Sequence, residues 1–306
     1  MRVFVTGATG VAGRGAVPAL VAAGHEVTAA SRSPVKAELL RSWGADPVEV
    51  DLFDPTATKR ALREHDAVCN LATHIPSLTR AGLPGAWKEN DRIRRLVSAN
   101  LVEAALAGEA THFVQESIGF VYPDRGNEWI DEQVEPQPTT VTESALEAEA
   151  NVARFTRDGR TGVVLRFAQF YGPVATHSRQ AVRMAARWGI APSVGDPHGY
   201  VSSIHGDDVG PAVAAALSAP SGAYNVADDE PLRRSELHAV FADALGRRRL
   251  RELGKVLARL GGGRSEAVAR SQRLANAGFK AATGWEPSVP SARDGWPPII
   301  AHHTGP

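Results

Sequence analysis

Three glycines near the amino terminus form the first pattern with a chemical consequence. Gly7, Gly10 and Gly13 are separated by two residues each and follow the short apolar run 2–6 directly. A helix-like segment begins at Val11, so the glycines lie between a strand and a helix. Glycine lets the backbone approach a pyrophosphate closely, and the helix N terminus favours the anion. The spacing predicts a dinucleotide-binding loop, and the alternative is an ordinary tight turn.

The residues after the second strand-like run indicate which dinucleotide would bind. Ser31 and Arg32 follow the run 26–30. An acidic side chain there would accept a hydrogen bond from a ribose 2′-hydroxyl, whereas these two side chains donate to a 2′-phosphate. The pattern favours NADP(H) over NAD(H), although Arg32 as an exposed loop charge is the alternative. Arg14 and Lys36 either add positive charge nearby or are ordinary surface residues.

Strand-like and helix-like segments alternate through the first half of the chain. The apolar runs of the strands are nearly continuous, as expected when helices cover both faces of a sheet. This repetition predicts an α/β fold of the Rossmann type, with a doubly wound parallel sheet. The predicted strands are 2–6, 26–30, 47–50, 66–71, 111–115 and 162–167, and the predicted helices of this half are 11–23, 35–43, 93–107 and 143–155.

The pattern changes after Gly172 and Pro173. Longer loops, prolines and isolated helices such as 234–245 replace the strand–helix alternation. We therefore predict an NADP-binding Rossmann domain at residues 1–173. The remainder, residues 174–306, is expected to form a smaller substrate-side lobe that is interleaved with the last strands of the sheet. Because no low-complexity linker separates the two, the boundary is soft.

Composition argues for a small-molecule partner. Lys plus Arg and Asp plus Glu both number 34, so the formal net charge is zero and favours neither nucleic acid nor an acidic membrane surface. Cys69 is the single cysteine, which excludes an internal disulfide. We see no apolar run long enough for a signal peptide or a membrane span, and we expect a cytoplasmic protein. No metal site is expected, either at Asp207 and Asp208 or at His302 and His303.

Several motifs together resemble the short-chain dehydrogenase/reductase superfamily, specifically its extended and atypical branches, which are similar to NAD(P)-dependent epimerases and dehydratases. The resemblance covers roughly residues 1–300. Its motifs are the threonine before the glycine loop and the segments 50–55, 66–72, 165–167, 171–173, 205–209 and 224–226. It implies contacts to the cofactor from Gly7, Thr9, Gly10, Val11, Gly13, Ser31, Arg32, Asp51, Leu52, Leu71, Ala72, Thr73 and Gln169.

The acid/base pair of this family is missing. In the family, a tyrosine four residues before a lysine acts with a serine to move the proton while hydride moves to or from the nicotinamide. Aligning the helix on Glu149, which matches the glutamate that usually ends the motif, puts Val141 at the tyrosine position and Ala145 at the lysine position. No tyrosine of the chain has a lysine four residues later; the tyrosines are Tyr122, Tyr171, Tyr200 and Tyr224.

The resemblance implies a substrate pocket but no assured catalytic residue. Ser117 is one position before the family's serine, and it either faces the nicotinamide or satisfies a backbone group at a strand end. His74 is either a proton donor or an ordinary loop residue. The residues implied at the substrate are His74, Ser117, Ile118, Tyr122, Phe170 and Tyr171.

These expectations favour an NADPH-dependent ketoreductase that reduces a carbonyl of a bulky secondary metabolite. The resemblance extends to the angucyclinone ketoreductases, which act on aromatic polyketides. Bulk is inferred from Trp87, Trp129, Trp188, Phe170 and Tyr171. The proton would come from the substrate or from water. The alternative is a non-catalytic NADP(H)-binding sensor. A nucleotide-sugar epimerase or dehydratase is less expected because it needs the missing tyrosine, and the oligomeric state, monomer or homodimer, is left open.

Overall fold

The computed structural model describes residues 1–78, 80–252 and 263–305. Its strands are β1 (Arg2–Thr6), β2 (Glu26–Ala30), β3 (Asp46–Val48), β4 (Ala67–Asn70), β5 (His112–Ile118), β6 (Trp129–Ile130), β7 (Thr161–Phe167), β8 (Gln169–Tyr171), β9 (Tyr200–Val201), β10 (Ser203–His205), β11 (Gly222–Val226), β12 (Leu232–Arg233) and β13 (Arg273–Leu274). The helices are α1 (Val11–Ala22), α2 (Pro34–Ser42), α3 (Pro55–Leu62), α4 (Lys88–Arg92), α5 (Ser98–Ala107), α6 (Glu143–Arg157), α7 (Thr176–Trp188), α8 (Gly206–Ala216), α9 (Arg234–Ala244), α10 (Gly263–Ala269), α11 (Ala277–Thr283) and α12 (Ala292–Thr304).

A seven-stranded parallel sheet forms the centre of the molecule. Its strand order is β11-β7-β5-β4-β1-β2-β3. The order reverses between β1 and β4, and this reversal opens a crevice at the carboxyl ends of those strands, where ligands bind in doubly wound folds. The predicted Rossmann-type α/β fold is therefore confirmed, and the crevice lies where the glycine loop leaves β1.

Helices cover both faces of this sheet, which explains the unbroken apolar runs. Val3 and Val5 face the layer that contains α1 and α8. Phe4, between them, faces the opposite layer with Phe113 and Phe155. Neighbouring residues of β1 thus enter different cores, so neither face of the strand is polar.

The second half of the chain builds a smaller lobe and also returns to the sheet. Strand β11 pairs in parallel with β7 and forms one edge of the sheet. The lobe has its own core, where Phe241 of α9 and Trp296 of α12 lie 4.6 Å apart between ring centroids. Asp208, at the start of α8, accepts hydrogen bonds from the backbone N–H groups of Ser288 at 2.6 Å and Val289 at 3.1 Å. This carboxylate therefore ties α8 to the segment before α12. The division into residues 1–173 and 174–306 stays a prediction.

Two boundaries differ from the sequence prediction in ways that matter for the site. Strand β5 continues to Ile118 because its polar end, Gln115 to Ser117, still pairs with β7. The helix predicted at 93–107 begins earlier, at Lys88, and contains a π-helical turn at Ile93–Val97. Such a turn is rare inside a helix and often lies at a functional site.

No helix within the described ranges combines the length and the apolar character needed to cross a membrane.

Candidate dinucleotide and substrate site

The glycine loop is closed by contacts that admit no side chain at two of its three glycines. Gly7 has φ of +65°, in the left-handed region that favours glycine, and its carbonyl accepts a hydrogen bond from the Gly10 N–H at 2.8 Å. A Cβ at Gly7 would lie 2.2 Å from the carbonyl oxygen of Leu71. A Cβ at Gly13 would lie 2.3 Å from the carbonyl oxygen of Gly7. These two glycines are required for the loop to pack against α1 and the end of β4.

Gly10 differs, since it faces open space at the N terminus of α1. A Cβ there would meet only the Gly7 carbonyl oxygen, at 3.0 Å, among atoms within 4 Å. Gly10 is the N-cap of α1, and no side chain caps the helix there. The first N–H groups of α1 are thus available to an anion, as a pyrophosphate cradle requires.

The adenosine end of the predicted site is an open cavity of about 410 Å³ beside β3. Arg32 lies in its wall, and the guanidinium carbon of Arg92 stacks 3.7 Å from the ring centroid of Phe53. Glu49, Asp51 and Glu89 also line it, so carboxylates reduce the positive potential of the two arginines. Ser31 lies next to Arg32, and its hydroxyl donates to the Ser33 carbonyl at 3.2 Å. Adenosine binding in this cavity and a preference for a 2′-phosphate at Ser31 and Arg32 stay predictions.

A chain of buried polar side chains joins the carboxyl ends of β1 and β4 to the middle of β5. The Thr6 hydroxyl donates to Asn70 Oδ1 at 2.6 Å, and Asn70 Nδ2 donates to Gln115 Oε1 at 2.9 Å. The N–H of Ala72 also donates to Asn70 Oδ1, at 3.4 Å. A fully satisfied network of this kind rigidifies the edge beneath a bound cofactor. This network was not predicted, although Thr6, Asn70 and Gln115 are polar residues at or near the ends of strand-like apolar runs.

The two positions of the missing acid/base pair are apolar and buried. Val141 is 7% exposed and Ala145 is 1% exposed. Glu149, the anchor of that alignment, accepts from Arg166 Nη2 at 2.7 Å in a buried ion pair. Burial alone would lower the pKa of Arg166, but the ion pair with Glu149 raises it. The helix therefore offers structural charges but no proton donor at these two positions.

Ser117 is fully buried, and its hydroxyl is already engaged. It donates to Glu149 Oε1 at 2.5 Å, at the end of β5. Of the two alternatives for Ser117, this geometry favours a hydroxyl that satisfies a buried group, here a side-chain carboxylate.

Both tyrosines expected at the substrate are core residues in this structure. The Tyr122 hydroxyl donates to Asn225 Oδ1 at 3.0 Å and accepts from Arg166 Nη1 at 2.8 Å. The Tyr171 hydroxyl donates to the Ser291 carbonyl at 3.3 Å. Burial raises the pKa of both hydroxyls. Each side chain therefore completes a core, and the expected contact of both tyrosines with substrate stays a prediction.

The other predicted site residues lie around the crevice without mutual side-chain contacts that define a role. His74 is exposed, and its backbone N–H donates to Asn90 Oδ1 at 3.0 Å. Ile118 and Phe170 are half-buried, and the Gln169 N–H donates to the Ser202 carbonyl at 3.1 Å. Their contacts with cofactor or substrate stay predictions, as do those of the remaining loop residues Thr9, Val11, Leu52 and Thr73.

A second buried ion pair lies beside the crevice and was not anticipated. Arg94, in the π-helical turn, donates from Nη2 to both carboxylate oxygens of Glu116 at 3.1 Å. Burial raises the pKa of Glu116, and the arginine opposes that shift. Arg94 lies between Arg92 and Arg95, and nothing in this basic segment of the sequence indicates that one of its arginines is buried.

Comparison with known proteins identifies the family. Residues 3–227 match the NAD dependent epimerase/dehydratase family. The chain belongs to this family. Over 98% of its length, the fold also matches a human epimerase family protein solved with NADPH, with a TM-score of 0.81, 24% identity and 99% of that chain covered.

Two relatives from bacteria are reductases by name. A "3-diazoavenalumate denitrifying reductase" of a Streptomyces species is 34% identical over 96% of this chain and 99% of the relative. A "4-hydroxy-2-methyl-3-oxo-4-farnesyl-3,4-dihydroquinoline-1-oxide ketoreductase" of Stigmatella aurantiaca is 32% identical over 40% of this chain and 35% of the relative. The family and these relatives support an NAD(P)-dependent reductase with a nicotinamide dinucleotide cofactor and a small-molecule substrate.

Proposed function

We propose that this family member is an NADPH-dependent reductase that reduces a carbonyl of a bulky secondary metabolite. One observation carries the proposal: the glycine loop has the close packing expected of a dinucleotide cradle, while the positions aligned with the family's acid/base pair hold the buried apolar side chains of Val141 and Ala145. The lost tyrosine and lysine argue against sugar epimerisation, which repeatedly deprotonates a hydroxyl. Their absence is compatible with reactions in which orientation of the substrate supplies most of the rate acceleration.

The residues at the adenosine end would select NADPH. Arg32 and Ser31 donate hydrogen bonds, and charge-assisted bonds to a 2′-phosphate are stronger than neutral ones. The dinucleotide, when bound, supplies a hydride to the substrate carbon. The first N–H groups of α1 would hold its pyrophosphate, and the polar chain from Thr6 to Gln115 would keep that edge rigid.

The substrate would complete the proton transfer itself. Ser117 is committed to Glu149, and both Tyr122 and Tyr171 are committed to core hydrogen bonds. A hydroxyl next to the substrate ketone, or an ordered water, would then stabilise and protonate the developing alkoxide. In this arrangement the protein positions the ketone and excludes bulk water.

Reductive removal of a diazo group is a second candidate. The relative aligned over 96% of this chain is named a denitrifying reductase. In such a reaction the carbon–nitrogen bond breaks, its electron pair leaves with N₂, and a carbon–hydrogen bond forms. No alkoxide arises, so no acid is needed, and this matches the acid-free positions at Val141 and Ala145.

One assay separates these candidates. Turnover with NADPH is measured on 8-hydroxy-1-tetralone, on 1-tetralone and on a hydroxybenzenediazonium salt. Ketone reduction with the proton from the substrate predicts faster turnover of the hydroxylated tetralone, and a denitrifying reductase predicts N₂ release with deuterium from 4-deuterated NADPH in the arene. Tight NADPH binding without turnover of any probe or of a wider ketone panel would contradict both and favour the non-catalytic sensor.

A further inference from the structure

A buried arginine of the smaller lobe has two nitrogen atoms without a partner. Arg234 is the first residue of α9 and is 1% exposed. Its Nη2 donates to the Val268 carbonyl at 2.9 Å and to the Arg270 carbonyl at 2.7 Å. Its Nε and Nη1 are also buried, and neither has an acceptor among the residues that the structure describes.

The charge of this guanidinium is poorly compensated. Asp124 and Asp196 contribute attraction from a distance, but no carboxylate of the described ranges makes an ion pair with Arg234. Asp124 instead accepts from the Ser271 N–H at 3.0 Å. Burial lowers the pKa of Arg234 to about 10, so the side chain is still a cation at neutral pH. A buried cation without a partner carries a desolvation cost that an anionic ligand would offset.

Arg234 also lines a cavity between the two halves of the molecule. Segments 167–169, at the end of β7, and 119–120, after β5, form the wall on the Rossmann side. Segment 200–202 and residues Arg270 and Gln272 form the wall on the lobe side. The cavity therefore lies between Arg234 and the carboxyl ends of β5 and β7.

We propose that Arg234 binds a carboxylate of the substrate in this cavity, so that the reductase acts on aromatic acids. The inference rests on the proposed function for its position next to the hydride-transfer site. The planar guanidinium offers two N–H groups in a fork that matches the two oxygens of a carboxylate. Arg270, the other arginine of the wall, is occupied because its Nη1 donates to the carbonyls of Tyr122 at 2.9 Å and Gln137 at 2.6 Å.

The cavity must widen when the carboxylate enters. Its volume is about 10 Å³, which is room for about one water molecule. The lobe-side wall is held by hydrogen bonds such as Gln272 Nε2 to the Tyr122 carbonyl at 2.8 Å. Entry of an anion would exchange some of these contacts for charge-assisted bonds to Arg234.

A role in holding α10 explains the hydrogen bonds of only one of the three guanidinium nitrogens of Arg234. The carbonyls of Val268 and Arg270 use Nη2 alone, and a tether gains nothing from leaving Nε and Nη1 buried and unpaired. A methionine at position 234 would remove the tether together with the buried charge. Loss of the uncompensated charge offsets loss of the two hydrogen bonds, so we expect a folded variant with nearly unchanged thermal stability.

The test measures binding of benzoate, benzamide and inorganic phosphate to the full-length protein by thermal shift and calorimetry, with NADP⁺ present. Benzoate and benzamide share their shape and differ in charge. We expect benzoate to bind at least about tenfold more tightly than benzamide, and more tightly than phosphate. Arg234→Met should lose that preference, while Arg233→Met, a change at the adjacent half-buried arginine, should keep it.

Equal affinities for benzoate and benzamide in the unmodified protein would overturn the proposal, whether or not the variants fold. So would a preference that survives Arg234→Met, or tighter binding of phosphate than of benzoate. Arg234→Lys keeps the charge and loses the fork, so it should retain an intermediate preference. Reduction of neutral ketones without a preference for acids would overturn this inference and leave the proposed reductase function intact. Benzoate binding without any hydride transfer would support the carboxylate site and contradict the proposed reductase function.

Discussion

Arg32 decides the choice of cofactor if the proposal for the adenosine end is correct. Arg32→Asp removes the donor to a 2′-phosphate and places a like charge against it. We expect NADPH affinity to fall by about tenfold to a hundredfold, as loss of a charge-assisted hydrogen bond implies, with NADH affinity unchanged or raised. Fluorescence titration of both cofactors measures this. Lys59→Asp, a change at an exposed lysine of α3, is the control, and equal NADPH binding by the Arg32 variant would contradict the assignment.

Four single substitutions test whether any one side chain donates the proton. Ser117→Ala, His74→Ala, Tyr122→Phe and Tyr171→Phe should each keep more than about a tenth of the turnover at saturating NADPH, whereas loss of a general acid costs about a hundredfold or more. Tyr122→Phe should lower the free energy of unfolding by about 1–3 kcal/mol, because Asn225 and Arg166 lose a buried partner. A thousandfold loss of turnover in one variant that is still folded would identify a protein acid.

Two substitutions in the glycine loop distinguish cofactor binding from folding. Gly10→Val should abolish cofactor binding while the sheet stays folded, because the backbone at residue 10 (φ of −72°) suits valine and the side chain enters the pyrophosphate space. Gly13→Ala should destabilise the fold, since its Cβ would lie 2.3 Å from the Gly7 carbonyl oxygen. Circular dichroism, thermal melts and cofactor titration distinguish the two effects. Normal NADPH binding by Gly10→Val would make the loop an ordinary turn.

The strands of the sheet were predictable because each buried strand is a nearly continuous apolar run. Continuous apolar runs placed β1, β2 and β7 to within one residue of their observed ends. The polar end of β5 was cut short in the prediction, since Glu116 and Ser117 do not look like a buried strand. What makes them strand residues is pairing with β7 and partners from α6 and the π-helical turn, which are distant in the chain.

The candidate site was predictable where local sequence dictates backbone shape and unpredictable where distant charges meet. Gly13 is fixed by contacts within the loop, and Gly7 by its positive φ and by the end of the neighbouring strand β4. Tyr122 was expected at the substrate from its place in a motif. The hydroxyl of Tyr122 is bonded to Arg166 and Asn225, which are 44 and 103 residues away, and no local pattern shows such a pairing.

A buried carboxylate beside the end of β11 affects the stability of the whole molecule. Asp228 follows β11 and is 1% exposed. Burial raises its pKa well above the usual range, and the backbone N–H groups of Ser203 and Ala292 offset only part of that effect. The folded state therefore binds the proton of this group more tightly than the unfolded chain does.

The sign of the pH dependence follows from that raised pKa. The stabilising contribution of protonated Asp228 is present at low pH and is lost as pH rises from about 3.8, the value in the unfolded chain, through the pKa of the folded state. Each unit of difference corresponds to about 1.4 kcal/mol. Asp228→Asn keeps the shape without the charge, so it should raise the melting temperature at pH 8 by several degrees and leave it nearly unchanged at pH 4. Asp243→Asn, an exposed change, should do neither. A lower melting temperature for Asp228→Asn at pH 8 would show that the charged carboxylate is stabilising and that its pKa is not raised.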